Sequence, residues 1–179
     1  MKDKIFLIGF MGSGKSTIGE ILAKLSGYEF VDMDKLIEEE DGAPIREIFI
    51  KRGEHHFRNL ESKLLDSLIE KNHFIAACGG GIIHDSLNVE VLMASGSAIF
   101  LEGNINTLYA RVKEDENRPF AFLDILDEVE RFEKFASLYD KRKDAYVEAS
   151  FAVVNIDGKN PEEIANYIYT NYIKKAVVL

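Results

Sequence analysis

The chain is short of thiols, of positive charge and of long apolar runs, and each shortage removes a class of protein. Its 179 residues hold a single cysteine, Cys78. One thiol cannot close an internal disulfide, and the expected setting is a reducing, cytoplasmic one. No apolar run approaches the roughly 20 residues that cross a bilayer. The first strand pattern begins by residue 4, which leaves no room for a secretion signal. Lys and Arg number 22 against 31 Asp and Glu, a net charge of −9. That balance argues against a nucleic-acid groove, which wants a basic face. An acidic protein that binds anions must do so with a few focused arginines and backbone amides. The histidines lack ligand spacing, His55 and His56 being adjacent and His73 and His84 isolated, so structural or surface roles are expected of them. Repeats and low-complexity tracts are absent.

What is there describes one globular core. Hydrophobic residues make up 46% and charged residues 30%, and two independent domains would be crowded in this length, so a single domain over 1–179 is expected. Strand-like runs at 5–10, 28–31, 74–77, 98–101 and 151–156 alternate with helical periods at 15–25, 34–40, 45–51, 54–71, 86–94, 106–112, 125–149 and 161–172. The alternation predicts a three-layer α/β/α fold around a five-stranded parallel sheet. Ligands of such a sheet collect at the carboxyl ends of its strands.

Three strand ends are decorated. After the first comes Gly9-Phe10-Met11-Gly12-Ser13-Gly14-Lys15-Ser16-Thr17, which fits the phosphate-loop pattern between a buried strand and a helix. Its glycines let successive N–H groups turn inward onto phosphate oxygens, and the following helix adds the positive end of its dipole. Gly12, Ser13, Gly14, Lys15, Ser16 and Thr17 are therefore expected to bind ATP, with Lys15 reaching the β- and γ-phosphates and Ser16 ligating Mg²⁺. The second strand ends at Asp32 and Asp34. In extended chain the two carboxylates share a face, one to hold Mg²⁺ through water and the other to take a proton; the bland reading makes Asp34 an N-cap. The third strand ends in Gly79-Gly80-Gly81, where a ligand can lie on the main chain. It lacks an aspartate, so Ser16 and one of the Asp32/Asp34 pair must hold the ion.

Three arginines are candidates. Arg58 is a surface ion pair or a fork for a substrate carboxylate. Arg142 is a salt-bridging helix residue or a second anion clamp. Arg118, before Pro119 in a charged unperiodic segment, is placed to swing over the transferring phosphoryl group or to be one more solvated cation.

Together these residues resemble the shikimate kinases, within the nucleoside-monophosphate-kinase-like group. The resemblance runs over essentially the whole chain and rests on Gly9–Thr17, Phe30–Asp34, Ile48-Phe49 through Gly53-Glu54, Phe57–Glu61, Gly79–Gly81, Arg118-Pro119, and Arg142 four residues before Tyr146. It implies a P-loop kinase fold with a mobile lid at about 112–124 and a substrate-binding region at about 33–61, and ATP- and Mg²⁺-dependent phosphorylation of the 3-hydroxyl of shikimate. By the same resemblance Asp34 binds the substrate hydroxyls and is the base, Arg58 and Arg142 grip the carboxylate, and the three glycines bind ring hydroxyls. Glu61 orients Arg58, Arg118 contacts the ATP phosphates from the lid, and Arg111 and the loop from Ile156 to Pro161 lie on the adenine side. A monomer is expected, with shikimate and ATP as its partners and neither nucleic acid nor membrane among them. Three positions depart from the family pattern: Phe120-Ala121 replaces aliphatic residues after Arg118-Pro119, Asp144 replaces a proline, and Cys78 replaces Thr or Ser. The runners-up are another small-metabolite kinase, of gluconate or nucleotide type, and a regulatory ATP-binding module.

Overall fold

Four residues of the first strand, Ile5 to Ile8, are fully buried on both faces, and such two-sided burial is the mark of a strand inside a parallel sheet. The computed structural model, which describes residues 3–113 and 125–174, builds that sheet from β1 (Lys4–Ile8), β2 (Glu29–Asp32), β3 (Phe74–Ala77), β4 (Ala98–Glu102) and β5 (Ala152–Asn155). All pairings are parallel, in the order β2-β3-β1-β4-β5. The chain therefore leaves central β1 toward one edge and, after β3, crosses to the other. The carboxyl end of β1 lies at this switch point, where α/β sheets take their ligands.

Eight helices flank the sheet: α1 (Lys15–Ser26), α2 (Met33–Asp41), α3 (Ile45–Arg52), α4 (Glu54–Ile69), α5 (Ser86–Ser95), α6 (Ile105–Lys113), α7 (Glu128–Ala149) and α8 (Pro161–Ile168), counted among the described residues. α1 packs on β3 and against α8, while α5 and α7 pack on β4 and on each other, giving the three layers expected. Most apolar side chains share one core. A second, small cluster of Ile37, Ile48 and Phe57 lies among α2, α3 and α4, and Leu64 packs against both.

The elements differ from the sequence pattern at their ends, for local reasons. β1 stops at Ile8 because Gly9 turns out at a φ of 149°. α7 begins at Glu128, not at residue 125, because the Asp127 side chain accepts from the Glu130 N–H at 2.8 Å and caps it there. α8 ends at Ile168 and relaxes into a π-turn over Tyr169–Ile173. A short 3₁₀ turn, Ile82–His84, follows the three glycines where periodicity gave no signal. Of the lid expected at about 112–124, residues 114–124 with Arg118 and Pro119 lie outside the described residues, and Val112 and Lys113 close α6.

Candidate active site

The loop after β1 wraps onto its own helix. Gly12 and Gly14 both have a φ of 81°, in the left-handed region that glycine enters freely. A Cβ at Gly12 would also stand 2.5 Å from the Leu108 carbonyl oxygen of α6, so the loop is pressed against that helix. Gly14 caps α1 without a side-chain bond, which leaves first-turn N–H groups aimed outward, as an anion site requires. Ser13 is fully buried and Lys15 is 8% exposed. The Lys15 ammonium donates to the carbonyls of Gly9 (2.8 Å) and Phe10 (3.1 Å) and to Ser13 Oγ (3.4 Å), so the charge is held over the loop's cradle. The side of α1 at Thr17 is exposed. Arg111 on α6 donates to the Gly12 carbonyl at 3.3 Å, which brings it to the loop's outer edge.

The two aspartates do not share a strand face. Met33 already opens α2, and Asp32, not Asp34, is its N-cap, accepting from the Lys35 N–H at 3.3 Å. The other Asp32 oxygen accepts from Ser16 Oγ at 2.8 Å. Asp34 stands in the first turn of α2, half-buried, with its Oδ1 2.7 Å from the place a Cβ of Gly79 would take. The alternation argument therefore fails: one carboxylate faces the phosphate loop and the other faces the glycine turn.

That turn is the hub of the site. A Cβ at Gly79 would meet Glu61 Oε1 at 2.6 Å as well as Asp34, one at Gly80 would lie 3.7 Å from Met11 of the phosphate loop, and one at Gly81 would overlap the Arg58 guanidinium, 2.7 Å from its Cζ. Three successive residues thus face the aspartate, the phosphate loop and the arginine.

Arg58 makes the ion pairs expected of it along its own helix. It bonds exposed Glu54 at 3.2 Å and, through NH1, the fully buried Glu61 at 2.7 Å. Its Cζ lies 5.1 Å from the Phe57 ring and 5.9 Å from that of Phe49, so the fork is held by aromatic faces as well as by charge. Glu61 Oε1 has no hydrogen-bond partner among the described residues. Burial raises the Glu61 carboxyl above its ordinary value, with Arg58 pulling the other way. Among the described residues Arg142 makes no salt bridge. Its NH1 donates to the Gly80 carbonyl at 3.2 Å and its Cζ stands 6.0 Å from the Phe10 ring. The Tyr146 hydroxyl donates to that same carbonyl. Arg58 and Arg142 therefore reach one glycine turn from opposite helices.

Cys78 is buried among core residues, and burial pushes its thiol far above the ordinary range, which fits an inert packing role. Asp144 is exposed within α7, which continues unbroken through it. No three His, Cys, Asp or Glu side chains gather as a metal cluster among the described residues. A hydroxyl and a carboxylate meeting at the phosphate loop, Ser16 and Asp32, suit Mg²⁺, which keeps most of its water and needs few protein ligands. Sequence reasoning passed over the aromatic bracket of Phe49 and Phe57 and the bond from Tyr146. A signal existed for Tyr146, since it lies four residues after Arg142 and so shares its helix face.

A family model for shikimate kinase matches residues 11–172. The chain is 38% identical to the shikimate kinase of Sulfurihydrogenibium sp. (strain YO3AOP1) over 166 residues, covering 93% of this chain and 95% of that one. It is 36% identical to the shikimate kinase of Persephonella marina over 164 residues, covering 92% and 95%. Among solved structures, it superposes on shikimate kinase from Acinetobacter baumannii in complex with shikimate with a TM-score of 0.87, at 31% identity over 98% of this chain and 95% of that one. Phosphate loop, glycine turn and paired arginines thus stand in a chain that belongs to the shikimate kinase family.

Proposed function

We propose that the chain transfers the γ-phosphoryl group of ATP to the 3-hydroxyl of shikimate, giving shikimate 3-phosphate and ADP, with the residue roles set out below. One observation carries this: Asp34, Arg58 and Arg142 converge on a single glycine turn whose middle residue faces the phosphate loop. A carboxylate-bearing alcohol bound there is gripped by two guanidinium groups and has a base at its hydroxyl. Asp34 accepts the proton as the hydroxyl oxygen bonds to the γ-phosphorus, and the bond to the β-phosphate oxygen breaks, releasing ADP. Lys15, the loop amides and the α1 terminus meet the charge on the phosphoryl oxygens. Arg118 joins them from the lid, and Arg111 lies on the adenine side. Gly79, Gly80 and Gly81 carry the substrate ring. Ser16, directly, and Asp32, through water, would hold Mg²⁺, which neutralises phosphate charge when bound. The protein works as a monomer in the cytoplasm, with the acceptor region at about 33–61 and the lid at about 112–124.

The test is ADP release from ATP and Mg²⁺ with shikimate, gluconate or a nucleoside monophosphate as acceptor. Stimulation by shikimate alone is expected. ATP binding with no stimulation by shikimate overturns the proposal, and stimulation by gluconate instead moves it to another small-metabolite kinase.

A further inference from the structure

Helix α7 presents three hydrogen-bond donors on one face, spaced by three and four residues: Tyr139, Arg142 and Tyr146. Each finds the carbonyl of a strand-end glycine. Tyr139 donates to Gly103, after β4, at 3.3 Å. Arg142 and Tyr146 both donate to Gly80, after β3. Tyr146 is fully buried, and its ring stacks on Phe100 of β4 with centroids 5.1 Å apart and planes 18° from parallel. Burial also pushes its phenol well above the ordinary range, so the hydroxyl stays a donor.

A trans peptide is planar, and its carbonyl and following N–H point in opposite directions. No cis bond occurs among the described residues. With the Gly80 carbonyl held by Tyr146 and Arg142, the Gly81 N–H points the opposite way from that carbonyl, on a buried residue whose Cβ, if it had one, would overlap the Arg58 guanidinium that covers it. Two donors on one carbonyl also polarise that peptide, which strengthens the N–H at its other end.

We propose that Tyr146 is a positioning residue for the acid substrate, its hydroxyl fixing the Gly80 carbonyl and thereby aiming the Gly81 N–H at the substrate beside Arg58. This rests on the shikimate kinase reading above. Tyr146 touches no reacting atom; it acts through the peptide it holds. If its ring stack on Phe100 were its whole role, phenylalanine would serve equally well.

Tyr146→Phe keeps the ring and removes the hydroxyl. The expected result is a rise of about fivefold to tenfold in KM for shikimate, the loss of roughly one hydrogen bond, with KM for ATP and kcat changed by less than about twofold. Tyr139→Phe, which removes the other buried hydroxyl two turns away, leaves KM for shikimate unmoved. An unchanged KM for shikimate in Tyr146→Phe, or an equal rise for ATP, overturns the inference. A second readout needs no variant: in the labelled wild-type protein, shikimate moves the Gly81 amide proton downfield, and an unmoved Gly81 resonance at saturation overturns it even if Tyr146→Phe does not fold. A wild type that shikimate fails to stimulate removes the functional reading and this inference with it. A wild type that uses shikimate beside an equally competent Tyr146→Phe removes this inference alone.

Discussion

Around Lys15 the site is made of main chain, whereas around Arg58 it is made of side chains borrowed from separate helices. The phosphate side is built chiefly on one continuous stretch from Gly9 to Ser16, which Asp32 and Arg111 only flank, and its lysine is steadied by the loop's own carbonyls. The proposed acceptor side draws Asp34 from α2, Arg58 and Glu61 from α4 and Arg142 from α7 onto the turn after β3. Every nucleoside triphosphate presents the same phosphates, and backbone amides suffice to bind them. The acceptor has to be told from other hydroxy acids, which calls for charge and shape placed from several directions. The cost falls on Glu61, a buried carboxyl whose second oxygen has no partner among the described residues and whose first holds Arg58.

The sharpest way to break this contrast is at Asp34. Asp34→Asn is expected to lower kcat by about a thousandfold, in the range of a lost general base, while calorimetry finds ATP binding nearly unchanged. Near-normal turnover removes Asp34 as the base. Next in size is Arg58→Ala, expected to weaken shikimate binding by about 2 kcal/mol or more, roughly thirtyfold, with little effect on ATP; equal losses for both ligands in a titration erase the division between the halves.

The glycine turn sharpens the comparison within three residues. Gly81→Ala puts a methyl into the Arg58 guanidinium, which must move aside, whereas a methyl at Gly80 meets only ordinary contact with Met11. KM for shikimate is therefore expected to rise about tenfold or more in Gly81→Ala and by less than about threefold in Gly80→Ala, and the reverse order contradicts the placement of Arg58. The smallest effect concerns stability. The Glu61 carboxyl is raised, so its charged form is the one that folding disfavours. Its contribution to stability is present below the unfolded value and lost as pH rises through the folded one. Glu61→Gln escapes that loss, and the difference in Tm, variant minus wild type, should grow from about pH 5 to about pH 8. A difference that stays flat or shrinks contradicts the raised value.

The same contrast explains what could be read from the residues alone. The phosphate loop was legible because its chemistry is consecutive in sequence. The sheet was legible because buried parallel strands are unbroken apolar runs, and β3 was bounded to the residue. The roles at Asp34 and Arg58 came from resemblance, since spacing left a cap and a surface ion pair open. The cap proved to be Asp32, because α2 starts at Met33, directly at the strand's end. That Arg142 turns onto Gly80 rather than along its own helix depends on a contact across 62 residues, and the Tyr146 bond spans 66. Local pattern carries no information about separations of that size.

The small cluster of Ile37, Ile48 and Phe57 gives the acceptor helices an interior of their own, joined to the main core through Leu64. The separation is partial, because Met33 of α2 and Leu65 and Leu68 of α4 sit in the main core. Trimming Ile37, Ile48 or Phe57 is therefore expected to loosen those three helices before the sheet feels it, whereas trimming Met33, Leu65 or Leu68 reaches the strands directly.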